Sequence, residues 1–466
     1  MLNVKKLCWA VAACLMTTTG TVSADPGHGD IPKGIKAVAP WPRISQSVAR
    51  GQAALMASPA VQQALAFIEA DDARTMQETI LMTEIPAPEF MEERKAKAFM
   101  QLLKDSGLED VRMDVAGNVM GVRRGSASGP VVVVDAHLDT VFPIETDVTV
   151  KKVDGKFYAP GLTDDTRGLA IMLSMVRAMR YADIRTQGTL IVLGSVGEEG
   201  NGDLRGVKQF FKDHPGVDAY LGIDSIPFGA VVSRNTGSQR FEVTYTGPGG
   251  HSFAAFGEVP SAIHALGRAV ARIGDLKVPD QPRTTFNVGI IGGGRSVNTI
   301  ADQATMEIDI RSDGAVELKQ VTQQVLAIVR SAADEENRRW GKKTLQVAIK
   351  QIGDRPGGMT SPDSVLIQAS LAGIRAVGQK ELILAAASTN AGIPISLGIP
   401  AIQVGPGGKL WGFHALDEGM DPTGAYKGIQ AAFLTALNLV GVEGVTPPAM
   451  PMRRQSVAHS PRQTGK

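Results

Sequence analysis

The chain has 466 residues, of which 43% are hydrophobic and 20% are charged, and its formal net charge is +1. These fractions exclude a disordered or fibrous chain, and the even charge balance lacks the basic excess typical of nucleic-acid binding. The length predicts two or three domains. Only seven histidines and two cysteines are present, so a site made from them has few candidate positions.

The first 24 residues have the layout of a secretory signal peptide. Two lysines precede an apolar run over residues 7–16, and small residues lead to a cleavage site after Ala24. We therefore expect export to a periplasm or out of the cell, with a buried N-terminal helix or lipidation at Cys14 as alternatives. Neither this run nor any later stretch reaches the roughly 20 apolar residues of a membrane span, so no stable membrane insertion is expected.

Cleavage at this position would remove both cysteines, Cys8 and Cys14. The mature chain would then have neither free thiols nor disulfides. Any metal ion must in that case be held by histidines and carboxylates.

Strands and helices alternate over both outer parts of the chain. Apolar runs and helical periodicity predict, in chain order, a helix over 92–103, a strand over 131–134, a helix over 168–180, strands over 189–196 and 221–224, a helix over 364–372, strands over 382–385 and 401–404, and a helix over 425–440. A continuous β-branched run such as 131–134 is typical of a strand buried on both faces of a sheet. The alternation predicts an α/β catalytic domain with a doubly wound mixed sheet.

A different order of elements lies between these two parts. The pattern predicts a strand over 240–246, a helix over 260–273, strands over 285–291 and 304–310, a helix over 316–332 and a strand over 345–349. The order β-α-β-β-α-β is that of a ferredoxin-like unit, here inserted into the larger domain. The predicted organisation is a signal peptide over 1–24, an extended N-terminal arm over 25–55, the catalytic domain over 56–237 and 353–445, the inserted domain over 238–352, and a disordered tail over 446–466.

Acidic residues and a histidine follow successive predicted strands. His137 and Asp139 follow the first, Glu198 and Glu199 the second, and Asp224 the third. Since ligands bind at the carboxyl ends of strands in open α/β sheets, these side chains are candidates for one metal site. Each pair taken alone could equally end a strand or form a solvated turn.

Three further positions have a suggestive context. Asp164 and Asp165 directly precede a predicted helix, which they could also simply cap. His251 follows a Gly-rich turn in the inserted domain, where a surface histidine is the alternative. His414 comes late in the chain, after a second Gly-rich segment.

Together these motifs resemble the M20 family of dinuclear zinc peptidases, whose members include glutamate carboxypeptidase, tripeptide aminopeptidase, desuccinylase and aminoacylase. The resemblance covers about residues 70–442, and it implies that the inserted unit is a lid or dimerisation domain. It implies two Zn²⁺ per chain, with Mn²⁺ or Co²⁺ as alternatives, and a homodimer formed through the lid. The implied metal ligands are His137, Asp164 (bridging), Glu199, Asp224 and His414.

The resemblance also implies roles for residues around the metals. Glu198 would be the general base, and Asp139 would orient His137. His251 would reach a substrate carboxylate or the developing oxyanion, from the same chain or from a partner subunit. The implied holders of the substrate's carboxylate are Asn298 and Arg311.

The implied reaction is hydrolysis of an amide bond in a small peptide, as in an exopeptidase or dipeptidase. An N-acyl amino acid amidohydrolase is the alternative, and a non-catalytic peptide-binding scaffold is a third hypothesis, which the presence of Glu198 disfavours. Two departures from the family's pattern leave the substrate open. Thr166 and Arg167 stand where many relatives have Lys-Gly, and Asn390 stands where an Asp is frequent.

Overall fold

The computed structural model describes residues 42–380 and 382–453, so the predicted signal peptide lies outside the described residues. The helices are α1 (Gln46–Ala57), α2 (Pro59–Ala70), α3 (Asp72–Thr83), α4 (Glu93–Asp105), α5 (Arg167–Tyr181), α6 (Arg205–Asp213), α7 (Ala262–Gly274), α8 (Ala315–Arg339), α9 (Val365–Ala376), α10 (Gly392–Ser396) and α11 (Tyr426–Val440). Among the helices of this described part, none combines the length and apolarity needed to cross a membrane.

The strands are β1 (Glu109–Met113), β2 (Val119–Arg123), β3 (Val131–His137), β4 (Lys151–Val153), β5 (Lys156–Tyr158), β6 (Thr189–Ser195), β7 (Ala219–Ile223), β8 (Ala230–Asn235), β9 (Gly237–Thr246), β10 (Gly250–His251), β11 (Thr284–Gly293), β12 (Thr299–Ile300), β13 (Gln303–Ser312), β14 (Gln346–Arg355), β15 (Gly358–Met359), β16 (Ile383–Ala387), β17 (Ala401–Val404), β18 (Lys409–Trp411) and β19 (Gly419–Asp421).

The larger part of the fold is built on a nine-stranded mixed sheet. Its order is β1-β2-β6-β3-β7-β17-β8-β15, and β16 also pairs with β8. The central pairs β6–β3, β3–β7 and β7–β17 are parallel, whereas β1–β2, β2–β6 and β17–β8 are antiparallel. This mixed sheet agrees with the α/β class predicted from the sequence.

Helices pack on both faces of this sheet, and alternate residues of β3 point to opposite faces. Val132 and Val134 pack with residues of α5, α9 and α11 in the main core. Val133 packs on the other side with Phe210 of α6 and Ile393 of α10. The interior position of β3 explains its uninterrupted valine run and fixes its carboxyl end inside the molecule.

A second sheet of four antiparallel strands has the order β11-β13-β9-β14. Helices α7 and α8 pack on one face, where Val243, Ile308 and Val325 share a core. The residues that alternate with these along the strands, among them Arg240 and Arg311, point to the opposite face. The elements follow the β-α-β-β-α-β order predicted from the sequence, and we call this unit the smaller domain.

The prediction of an extended arm over residues 25–55 is wrong for residues 46–55, which belong to α1. The hydroxyl of Ser45 caps this helix by accepting a hydrogen bond from the N–H of Val48, and Val48 and Leu55 are buried. The alanine content that suggested a loop is equally compatible with a helix, because alanine is the best helix former.

The prediction of a disordered tail from residue 446 is wrong as far as Arg453. Met450 is buried in the main core, and the N–H of Arg453 donates to the carboxylate of Asp218. These tertiary contacts order a segment whose composition alone favours disorder. The rest of the predicted tail, residues 454–466, lies outside the described residues.

Candidate metal centre

Three neighbouring strands of the large sheet end at the same edge. β3 pairs in parallel with both β6 and β7, so the carboxyl ends of these strands lie side by side. His137 is the last residue of β3, Glu198 and Glu199 follow β6, and Asp224 follows β7. The parallel pairing therefore brings together side chains that lie far apart in the sequence, as the strand-end pattern predicts.

The carboxylate of Asp164 lies between two imidazoles. Its Oδ1 is 3.0 Å from Nε2 of His137, and its Oδ2 is 3.1 Å from Nε2 of His414. Oε1 of Glu199 is 2.8 Å from the same nitrogen of His414. The peptide bond between Asp164 and Asp165 is cis. A carboxylate that faces an imidazole with each oxygen has the arrangement needed to bridge two metal ions.

Burial makes it unfavourable for all of these carboxylates to be ionised at the same time. Desolvation, together with the charge of Asp164, raises the pKa of Glu199 and that of Asp224 to about 7. Hydrogen bonds with Asp164 and Glu199 raise the pKa of His414 to about 11. Contacts with His137 and His414 outweigh burial at Asp164 and hold its pKa well below the usual range. Without a metal, protons must supply the compensating charge that divalent cations would supply.

The donor atoms fit a transition metal. His137, Asp164 and Glu199 each offer a ligand atom that lies within 4.8 Å of the others. Asp224 lies close enough that its pKa responds to the charges of Asp164 and His137. Imidazole nitrogens combined with carboxylate oxygens suit Zn²⁺, and Mn²⁺ and Co²⁺ accept the same ligands.

Asp139 contacts two parts of the site through different atoms. Its main-chain carbonyl accepts a hydrogen bond at 3.0 Å from Nδ1 of His137, which leaves Nε2 as the nitrogen available to a metal. Its carboxylate is 3.7 Å from that Nδ1 and accepts instead the N–H groups of Glu198 at 3.1 Å and Glu199 at 2.8 Å. The carboxylate of Asp139 therefore holds the main chain of Glu198 and Glu199, whereas the main-chain carbonyl of Asp139 orients His137.

Glu198 is buried, and its Oε1 has no hydrogen-bond partner among the described residues. Burial raises the pKa of its carboxyl to about 7, against the opposing charge of Arg355. Arg355 was not found by sequence reasoning, because an arginine at the end of a strand carries no distinctive signal. A carboxylate with a free oxygen and a pKa near neutrality can take up a proton and return it.

Sequence reasoning also missed Glu418, which holds the turn that carries Asp164. Its buried carboxylate accepts hydrogen bonds from the N–H groups of Gly161 at 2.9 Å, Thr163 at 2.7 Å and Asp164 at 3.0 Å, and from the Thr163 hydroxyl at 2.8 Å. Burial raises the pKa of Glu418 to about 7. Its only signal in the sequence is its position shortly after His414.

Two of the predicted substrate-binding residues lie together on the smaller domain. His251 belongs to the short strand β10, which pairs with β12, and its Nδ1 accepts a hydrogen bond at 3.3 Å from the N–H of Phe253. The carbonyl of Asn298 accepts a hydrogen bond at 2.9 Å from the N–H of Ser252, next to His251. Both side chains are exposed, and neither is in contact with the metal-binding cluster described above.

The third predicted substrate-binding residue, Arg311, lines a cavity of about 400 Å³. The cavity lies between the two sheets, and its wall includes Ser225 and Phe413, which directly follow and precede two predicted metal ligands. The Nε of Arg311 donates to the carboxylate of Asp309 at 2.6 Å. The guanidinium therefore stands in a chamber next to the metal centre.

Two departures from the family's usual residues have buried partners in this chain. The amide of Asn390 donates to the carboxylate of Asp135 at 3.0 Å and is 2.9 Å from the Ser195 hydroxyl. Arg167 is fully buried and pairs with Asp72 at 2.8 Å. Among the described residues, these partners are not the residues of the metal-binding cluster, His137, Asp164 and Glu199.

Comparison with known proteins assigns the chain to one family. A family model described as peptidase family M20/M25/M40 matches residues 133–438, more than half of the chain. Carboxypeptidase G2 of a Pseudomonas species is 25% identical over 225 residues, which cover 45% of this chain and about half (52%) of that enzyme.

Solved structures show the same fold. A tripeptidase from Staphylococcus aureus has a TM-score of 0.64 at 22% identity, over 79% of this chain and 98% of that one. The YxeP protein of Bacillus subtilis, described as a dinuclear metal-binding peptidase of the M20 family, has a TM-score of 0.58 at 16% identity, over 79% of this chain and 99% of that one. The family match and this common fold agree with the site: the chain belongs to peptidase family M20/M25/M40 and is a metallopeptidase, a hydrolase of amide bonds.

Proposed function

We propose that this metallopeptidase holds two divalent cations, with zinc as the expected metal, and removes terminal residues from small peptides. The observation that carries the proposal is the carboxylate of Asp164, which faces His137 at 3.0 Å and His414 at 3.1 Å. Two further carboxylates are available as ligands: Glu199, whose Oε1 is 2.8 Å from Nε2 of His414, and Asp224, whose pKa responds to the charges of Asp164 and His137. The dinuclear description of the related Bacillus subtilis protein supports the same reading.

The proposed reaction uses a water molecule and one buried carboxylate. Two bound cations would polarise the scissile carbonyl and lower the pKa of the attacking water. Glu198, whose Oε1 has no hydrogen-bond partner among the described residues, takes the proton of that water. It then returns this proton to the leaving amine. Asp139 keeps Glu198 in place by accepting the hydrogen bond of its N–H.

The proposed substrate carries a free carboxylate. Arg311 lines the chamber beside the centre, and a guanidinium binds a carboxylate through paired N–H donors. His251 and Asn298 would complete the binding of that group when the smaller domain closes over the large sheet. A small peptide and an N-acyl amino acid both present such a carboxylate, so the amidohydrolase reaction is the second candidate.

The test is release of amino acids from a panel of dipeptides, tripeptides and N-acyl amino acids, with added Zn²⁺, Mn²⁺ or Co²⁺ and with a chelator. We expect metal-dependent release, with peptides as the better substrates. Glu198→Gln should lower kcat by a factor of about 10² to 10⁴ while the metal content is unchanged. Unchanged turnover in this variant would contradict the assigned base, and absence of turnover in the wild type would favour the binding-scaffold hypothesis.

We further propose a homodimer formed through β11. This strand is at the end of the four-stranded sheet, so its outer N–H and C=O groups can pair with a second copy. Ile290 and Ile291 on β11 are 57% and 61% exposed, and the nearby Val297 is fully exposed. Sedimentation should show a dimer, and Ile291→Lys should shift it to monomer without loss of fold.

Export is the remaining part of the proposal. It rests on the amino-acid pattern of residues 1–24 alone. The full chain, expressed in a Gram-negative host, should appear in the periplasm with Asp25 as its first residue. Retention in the cytoplasm at full length would contradict export, and a lipid on Cys14 would support the alternative processing.

A further inference from the structure

The loop that carries the glutamate pair is held from two sides. On one side the carboxylate of Asp139 accepts the N–H groups of Glu198 and Glu199. On the other side the end of β14 in the smaller domain reaches across to the carbonyl groups of the same loop. The proposed base is thus fixed by both the large sheet and the smaller domain.

Arg355, the last residue of β14, makes this second set of contacts. Its Nη2 donates to the main-chain carbonyl of Glu198 at 2.6 Å and to that of Gly200 at 3.2 Å. Its Nη1 is 3.7 Å from Oε1 of Glu198. The arginine is only 4% exposed, so these charge-assisted contacts form away from bulk water and are strong ones.

The hydrogen bonds from Arg355 go to the main chain, while its distance of 3.7 Å from Oε1 of Glu198 is beyond hydrogen-bond range. A guanidinium that bound both carboxylate oxygens would occupy the lone pairs that a base needs to accept a proton. Donation to the carbonyl instead fixes the peptide unit from which the Glu198 side chain extends. This arrangement orients the side chain without occupying the lone pairs of its carboxylate.

Arg311, the proposed substrate-binding residue, lies in register with Arg355 on the small sheet. Ser238 of β9 is paired with Arg311 on one side and with Arg355 on the other. Residues paired in this way point to the same face of a sheet, and strands two apart are separated by about 10 Å. Because they flank the same residue of β9, Arg311, which would bind the substrate's carboxylate, and Arg355, which contacts the loop of Glu198, have positions set by the same part of the small sheet.

We propose that Arg355 is a positioning residue for Glu198, through which the smaller domain aligns the base with a substrate held by Arg311. This inference rests on the proposed function for the role of Glu198 and of Arg311. The contact from Arg355 to the loop does not depend on that role, and it can be tested separately.

Arg240 provides a matched control. It lies on the same face of the small sheet, and its guanidinium donates to the Gly200 carbonyl and, at 3.2 Å, to Asp309. It shares the cross-domain contact with Arg355 but makes no contact with Glu198 among the described residues. Arg240→Met therefore removes an interdomain bond while leaving the proposed base in place.

The catalytic arm compares kcat and KM of Arg355→Met, Arg355→Lys and Arg240→Met at full metal occupancy. We expect Arg355→Met to lower kcat about 100-fold with KM changed by less than about threefold, because a small misplacement of a catalytic group costs a factor of this size. Arg355→Lys, which keeps one charged donor, should recover about tenfold of that loss. Arg240→Met should stay within about threefold of the wild type in kcat; KM is not the criterion for this variant, because Asp309, which pairs with Arg240, also pairs with Arg311.

The structural arm measures hydrogen exchange of the amides of Glu198 and Glu199 in the metal-free protein. Arg355→Met should accelerate their exchange at least about tenfold, and Arg240→Met should not. This arm needs neither metal nor substrate, so it remains decisive if the wild type hydrolyses no peptide and the proposed function fails. Equal effects of the two variants in either arm, or a change in KM alone, would overturn the proposal. If Arg355→Met does not fold, Arg355→Lys decides by the same criteria.

Discussion

Asp139→Asn gives the sharpest test of how the glutamate pair is held. The carboxylate of Asp139 is fully buried and accepts one N–H with each oxygen, from Glu198 at 3.1 Å and from Glu199 at 2.8 Å. Asparagine has the same shape but can accept at only one of the two positions. The hydrogen bond from His137 goes to the main-chain carbonyl, so the substitution leaves that contact intact.

The magnitude follows from the bonds lost. A hydrogen bond to a charged acceptor contributes about 1.5–3 kcal/mol, and a buried N–H left without a partner costs about 1–3 kcal/mol. Because these terms describe the same group and are not additive, we expect the free energy of unfolding to fall by about 1.5–3 kcal/mol. Displacement of Glu199 should also weaken metal binding by a factor of about 10 to 100.

The assay combines urea unfolding of the metal-free protein with metal affinity measured by competition with a chelator. Asp114→Asn is a matched control, because Asp114 also accepts several N–H groups of its own loop, at Ala116, Gly117 and Asn118. That variant should lose stability with no change in metal affinity. The reasoning is refuted if Asp139→Asn unfolds within about 0.5 kcal/mol of the wild type and binds metal equally well.

Three further predictions follow from the same contacts. Glu418→Gln should leave the Gly161 N–H without its acceptor, lower the free energy of unfolding by about 1–3 kcal/mol and weaken metal binding; unchanged affinity would show that the turn does not need this anchor. Gly168→Ala should destabilise the fold, because a Cβ would lie 2.3 Å from Asp165 Oδ1. Gly267→Ala in α7, where a Cβ would meet open space, should stabilise the fold by up to about 1 kcal/mol. Thermal unfolding of both variants checks this contrast. The metal-free protein should lose stability as pH rises through about 7, because the folded-state pKa of Glu198, Glu199, Asp224 and Glu418 is raised to about 7. Between the ordinary carboxyl pKa and about pH 7 the folded state binds more protons than the unfolded state, so the stability that these carboxyls contribute is complete at low pH and is lost above about pH 7. The Tm measured in excess chelator should therefore fall between about pH 5 and pH 8. A rising Tm would contradict the assignment.

The sequence predicted much of the site because one rule of sheet architecture was sufficient. Side chains at the ends of parallel strands meet at one edge, and this places His137, Glu199 and Asp224 together once their strands are recognised. The alternating pattern of residues 304–310 likewise predicted the small sheet, since one of its faces packs on helices. Local sequence carries both kinds of information.

Contacts between residues that lie far apart in the sequence and outside the strand ends could not be predicted in this way. Glu418 binds the N–H of Asp164 across 254 residues, and Arg355 binds Glu198 across 157 residues. Their positions become meaningful only when the tertiary structure brings them together. The Asp139 carboxylate shows a second limit, because sequence spacing placed it near His137 but could not tell which neighbouring N–H groups it accepts.

The number of divalent ions bound per chain tests the central claim most directly. Native mass spectrometry of the wild type and of Asp164→Asn, each saturated with Zn²⁺ and freed of excess metal, supplies this number. If Asp164 bridges a dinuclear centre, the wild type should retain two ions and the folded variant at most one. A single ion in the wild type, or two ions retained by Asp164→Asn, would contradict it.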